Sequence, residues 1–161
     1  MRTTTAANRD LDVGNTEVLA RQIAGLIECD SYRIEAADPS SDSYDDTVGR
    51  NVREANSDAR PRIANPLPSI EQYDNILIGS PIWNVRTPMI MMTFAEGLNF
   101  TGKTVHPFVT YAVSGLGRAQ SNYEDACRGA DLRAGLAVQG EEAADHEDDV
   151  RAWLRDGSLL A

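Results

Sequence analysis

The sequence predicts an α/β layer fold, a parallel sheet flanked by helices. Three observations carry that prediction: helix-period and strand-period segments alternate along the chain, no segment repeats, and every strand-like run after the first leads directly into a helical one. The first helix is expected over residues 16–28, where Val18, Leu19, Ile23, Leu26 and Ile27 share one face at i, i+3/i+4 and i+7/i+8 spacing. Residues 31–36 alternate weakly and stop before Asp38-Pro39, the pattern of a short edge strand. Residues 37–68 are polar and charged, with a helical patch at 45–56, and are expected as an excursion over the surface. The compact apolar run in 73–80, entering a Gly-Ser-Pro turn, reads as a strand buried on both faces. A helix follows, with Thr87 expected as its N-cap and Pro88 at the first helical position. Residues 102–110 form another strand-like run, in which Pro107 argues against a central, fully laddered position. A helix at 117–127, a weak strand at 132–138 and a last helix at 141–155 complete the series. The last helix sets Val150, Trp153 and Leu154 on one face and opens with acidic residues suited to its positive end. A single domain is expected over 1–161, with 1–12 as an irregular N-terminus.

Composition narrows the function. With 15 basic against 25 acidic residues in 161, the formal charge is −10. Neither nucleic acid nor an anionic membrane surface suits such a chain, because phosphate contacts need a basic footprint. No run approaches the ~18 apolar residues of a membrane span, and the first 14 residues lack the apolar core of a signal peptide. The expected location is cytoplasmic. Cys29 and Cys127 are too few and too far apart for a disulfide framework or a CxxC metal site, and read as reduced small hydrophobes. His106, inside an apolar run, reads as a satisfied strand histidine, and with His146 on a distant acidic segment no metal site is expected. No Gly-x-Ser-x-Gly elbow or Cys/His pairing supports nucleophilic catalysis. The cluster Glu141, Glu142, Asp145, Glu147, Asp148 and Asp149 is a solvated helix face or a dock for a basic partner.

Ligands of parallel sheets sit beyond the carboxyl ends of the strands, where three turns, 12–16, 79–86 and 110–118, would lie. Gly14 allows close backbone approach, and Asn15 or Thr16 can cap the helix while donating to an anion at its positive end; an ordinary N-cap would look the same. Trp83 at a strand's carboxyl end could lie against a flat ring or pack in the core, with Pro81 stiffening the approach. The third turn supplies hydroxyls, exposed amides and two glycines, or is simply a loop and helix start.

Taken in order, Gly14-Asn15-Thr16, the stretch 78–84, Pro88-Met89 with its helix to Phe94, Phe100-Thr101-Gly102-Lys103-Thr104 and Ser114-Gly115-Leu116-Gly117-Arg118 resemble the flavodoxin family. The match is to its bacterial flavodoxin-like FMN-binding members, runs from Val13 onward, and extends to the insert-like segment 37–61. The resemblance implies a five-strand, doubly wound sheet holding non-covalent FMN. Gly14, Asn15 and Thr16 would cradle the phosphate, Pro81, Ile82, Trp83 and Asn84 would border the isoalloxazine, and Thr110, Tyr111, Ser114, Gly115 and Gly117 would close its other side. It also implies electron transfer, by a carrier or an FMN-dependent oxidoreductase, with basic redox partner proteins and a quinone-like acceptor as candidates. The family's strongly apolar first strand has no counterpart before Asn15, so the N-terminal strand is expected to be missing or supplied by another chain in a homodimer. The alternative function is then a flavin-free, dimerising flavodoxin-fold protein acting as an interaction module.

Overall fold

Strands and helices alternate in the computed structural model, which describes residues 3–8, 13–38, 44–82, 85–112, 114–140 and 146–160. The order is β1 (Thr3–Asn8), α1 (Val13–Leu26), β2 (Asp30–Ile34), α2 (Tyr44–Asn56), β3 (Asn75–Pro81), α3 (Met89–Glu96), β4 (Thr104–Tyr111), α4 (Ala119–Ala126), β5 (Asp131–Leu132), β6 (Leu136–Gln139) and α5 (Glu147–Asp156). The strands pair in parallel in the order β2-β1-β3-β4, and both β5 and β6 pair with the outer side of β4. The chain thus winds outward from β1 in one direction, then crosses back to lay β3 on its other side.

The expectation of a missing N-terminal strand is overturned. Residues 3–8 form β1, paired on one side with β2 (Thr4↔Asp30 through Asn8↔Ile34) and on the other with β3 (Thr3↔Asn75 through Ala7↔Gly79). The reason lies in the backbone. Strands β2 and β3 present facing rows of N–H and C=O groups that must find partners, and three consecutive threonines favour extended backbone through their β-branching. A wide apolar run is therefore not needed for a strand to occupy this position. The gap that called for a second chain does not exist.

Pro107 is corrected too, since β4 is central. Val105 accepts a hydrogen bond from Arg133 N–H, so odd-numbered residues of β4 turn their peptide groups toward β5 and β6. Opposite Pro107 the outer strand is broken: the register shifts by one residue between Val105↔Leu132 and Phe108↔Leu136, a bulge over 133–135. The proline's missing N–H faces that bulge, so no ladder bond is lost. Side chains satisfy the bulged backbone instead: Gln120 Nε2 donates to Arg133 O, Gly135 N–H donates to Gln120 Oε1, and Trp153 Nε1 donates to Ala134 O. The single weak strand expected at 132–138 is this interrupted edge.

Alternating residues of the buried strands feed two cores. Ile76, Ile78, Val105 and Val109 pack with Met89, Ile90, Phe94 and Tyr123 of α3 and α4. Leu77, Phe108 and Val138 pack with Leu19 and Ile23 of α1 and Val150 and Leu154 of α5. β2 is an edge strand as expected, and the excursion returns along it through an antiparallel bridge, Ala36↔Ile63. α3 starts at Met89, with Pro88 rather than Thr87 at the cap position; the Thr87 hydroxyl is turned to Asn122, as described below.

Candidate functional site

Between β1 and β3 the chain reverses its direction of winding, and the rim beyond the carboxyl ends of these two strands is where open parallel sheets hold ligands. α1 opens there, with Gly14, Asn15 and Thr16 in its first turn and no acidic residue among the first-turn positions. The peptide N–H groups of that turn have no intrahelical acceptors. Thr16 is fully buried, and its hydroxyl shares a 2.8 Å hydrogen bond with the hydroxyl of Thr110 at the end of β4. Asn15 lies against Gly140, just past β6, where an added Cβ would stand 2.6 Å from Asn15 Nδ2. The start of α1 is thereby fixed to the ends of two other strands.

The second and third turns form a clasp. Arg118 N–H donates to Val85 O at 2.7 Å, and Gly117, at φ +53°, leaves no room for a Cβ, which would fall 2.5 Å from the same carbonyl oxygen. Val85 has φ +66° and is half exposed, a strained conformation for a β-branched residue and one that gathers at functional sites. Ile82 N–H donates to Thr110 O. α4 anchors the underside: Thr87 donates from N–H and from its hydroxyl to Asn122 Oδ1, both at 3.3 Å, and the hydroxyls of Ser80 and Tyr123 meet at 3.0 Å. Burial pushes the Tyr123 hydroxyl well above its usual range, so it stays protonated.

Of the residues expected at the site, Gly14, Asn15, Thr16, Pro81, Ile82, Thr110, Tyr111, Ser114, Gly115 and Gly117 lie on this rim. Trp83 and Asn84 lie outside the described residues. Sequence reasoning missed Val85, Asn122, Tyr123 and Gly140. A usable signal existed only for Asn122, a polar residue one position before Tyr123 on the buried face of α4. His106 stands away from the rim, 1% exposed, donating from Nε2 to Asn75 Oδ1 at 3.0 Å, with its ring edge-on to Trp153. Among the described residues no group of three or more His, Cys, Asp or Glu side chains could hold a metal ion, and no helix is long and apolar enough to cross a membrane.

This donor set suits a phosphorylated, flat-ringed cofactor. Peptide N–H groups at a helix N-terminus whose first turn carries no acidic residue suit the phosphate, and the glycine-only clasp brings two turns together where a ring edge would lie. The family model that matches the chain is described as flavodoxin and covers residues 11–156. Among solved structures, a candidate flavoprotein from Bacteroides eggerthii shares 27% identity and a TM-score of 0.84, covering 98% of each chain. A second, from Bacteroides uniformis, shares 28% identity and a TM-score of 0.76 over 89% of this chain and 96% of its own. A Lactobacillus acidophilus flavoprotein solved in complex with FMN has the same fold, at 18% identity and a TM-score of 0.67 over 89% of this chain and 97% of its own. Among curated proteins none matches.

Proposed function

The chain belongs to the flavodoxin family, and from that premise we propose that it binds FMN non-covalently at the carboxyl-end rim and transfers electrons between protein or small-molecule partners. The observation that carries this reading is the convergence of the three turns, tied together by Thr16–Thr110 and by the Val85–Arg118 clasp. Bound FMN supplies reversible one- and two-electron chemistry. The chain's own residues do the rest. The first-turn N–H groups at Gly14, Asn15 and Thr16 hold the phosphate, aided by the positive end of α1. The Thr16 hydroxyl is committed to Thr110, so it orients the turn while its backbone serves the ligand. Pro81, Ile82, Trp83 and Asn84 would border the ring on one side. Thr110, Tyr111, Ser114, Gly115 and Gly117 would border it on the other, excluding water and offering hydroxyls and peptide N–H groups to the ring edge. Reduction of a quinone-like acceptor fits the same site. The net charge of −10 favours basic protein partners.

The purified protein should show flavin absorbance, or gain it on addition of FMN, with a stoichiometry of one. Trp83→Ala should weaken binding by roughly two- to tenfold, since loss of an aromatic stacking contact costs on the order of 0.5–1.5 kcal/mol. A chain that never takes up added FMN overturns the assignment, and unchanged affinity in the variant removes Trp83 from the site. The flavin-free interaction module loses one of its supports, the empty place in the sheet, because β1 fills it.

A further inference from the structure

We propose that Arg86 and Arg118 form an anion subsite at the open edge of the rim, shaped for the carboxylate or phosphate head of a small-molecule ligand other than FMN itself. The Val85–Arg118 clasp carries the proposal. The bond from Arg118 N–H to Val85 O sets the backbone of residue 118 directly against residues 85 and 86, and the strained φ of Val85 and the glycine-only packing of Gly117 hold the two together. Both arginines therefore project from one small patch between the second and third turns.

Among the described residues neither is neutralised there. Arg86 is half-buried, and its Nε donates to Thr87 O at 3.1 Å. Among the described residues no carboxylate lies within ion-pair distance of Arg86 or Arg118, whereas Arg21, Arg33, Arg50, Arg60, Arg133 and Arg151 all have one. The nearby carboxylate is Asp58, and Arg60 already occupies it at 2.8 Å while also gripping Glu96 through two nitrogens. Burial first, then the Arg118 charge, lowers the pKa of the Arg86 guanidinium. A half-buried cation facing a second cation in a chain of net charge −10 is a placement that an incoming anion would relieve. The planar guanidinium, whose outer nitrogens have no partner among the described residues, suits two-point binding of carboxylate or phosphate.

The subsite rests on the clasp and stands apart from the FMN assignment, so the two can fail separately. The test is a titration of the FMN-loaded full chain with inorganic phosphate at constant ionic strength, read by the arginine Nε–H resonances. It is repeated on the flavin-free chain and on Arg86→Gln, Arg118→Gln and, as a control at the opposite end of the sheet, Arg128→Gln. Saturable shifts at Arg86 and Arg118, about tenfold weaker affinity in the first two variants and no change in the control, bear the proposal out. A linear, unsaturating response that is the same in all variants overturns it. Displacement of FMN by phosphate in step with those shifts also overturns it, by making the arginines part of the FMN phosphate seat. Saturation on a chain that never binds FMN would leave the subsite standing and remove the FMN reading instead.

Discussion

Thr16 and Thr110 are 94 positions apart and meet through one buried hydrogen bond, in which, among the described residues, each satisfies a hydroxyl that water cannot reach. Replacing one strands its partner. Thr16→Val and Thr110→Val should each lower stability by ~1–3 kcal/mol, and the double variant should lose clearly less than their sum, because no orphaned hydroxyl is left. Urea midpoints of the three variants check this. FMN affinity should fall with the single changes, since they loosen the turn that holds the phosphate. His106 makes a second prediction. Burial above all, and then Arg133, lowers its pKa from 6.5 to about 4 in the folded chain, with Asp131 opposing. The unfolded chain therefore takes up the proton at higher pH than the folded chain does, and stability should fall as pH drops from about 6.5 toward 4 and level off below. The full loss is at most ~3 kcal/mol. His106→Gln, which can still donate to Asn75 Oδ1, should flatten that part of the stability–pH curve; an unchanged slope would exclude His106 as its source. That His106 is a hydrogen-bonded strand residue was legible from its apolar neighbours. The Thr16–Thr110 pair was not, because the sequence carries no mark of which hydroxyls face each other across the rim.

At the scale of elements, the places the sequence misjudges are those where a backbone need was met by a distant side chain. Pro107 reads as an edge signal because a lone strand offers no information about what its N–H would face; the answer depends on a bulge 26 positions further along, beginning at Arg133. That bulge in turn survives through Gln120 of α4, which accepts from Gly135 N–H and donates to Arg133 O. Gln120→Ala should therefore cost ~1–2 kcal/mol despite the half-exposed setting of the residue. Amide exchange should accelerate at Gly135 and its neighbours while β3, buried throughout, stays protected. Exchange rising uniformly across the sheet would mean that the edge and the centre unfold as one unit. Elements with strong periodicity were legible almost to the residue: β3 and β4 differ from their expected bounds by one or two positions at each end. Helix starts were less so, and α1 begins three residues ahead of the expected 16 because the turn that opens it is set by contacts with β4 and β6.

For the whole molecule, the central position of β1 reverses the argument that composition alone invites. A strand flanked on both sides was expected to need an apolar run, yet the sheet's demand for backbone partners is met by six residues that include three threonines. The charge distribution is the other property that appears only at this scale. The total is −10, whereas the patch at the second and third turns carries two arginines with no carboxylate partner among the described residues. A large basic protein partner feels the whole field, and a small anion feels the patch. Electron transfer to a basic protein acceptor should accordingly slow several-fold as ionic strength rises from about 0.01 to 0.15 M, where the screening length contracts from ~30 to ~8 Å. Transfer to a small anionic quinone over the same range should depend far less on salt, because the repulsion of the distant acidic surface and the attraction of the arginine patch are screened together. Stopped-flow rates with the two kinds of acceptor make the comparison. If the basic protein's rate falls while the quinone's rises, the net charge alone governs approach; if neither changes, encounter is not electrostatically steered and basic partners lose their claim.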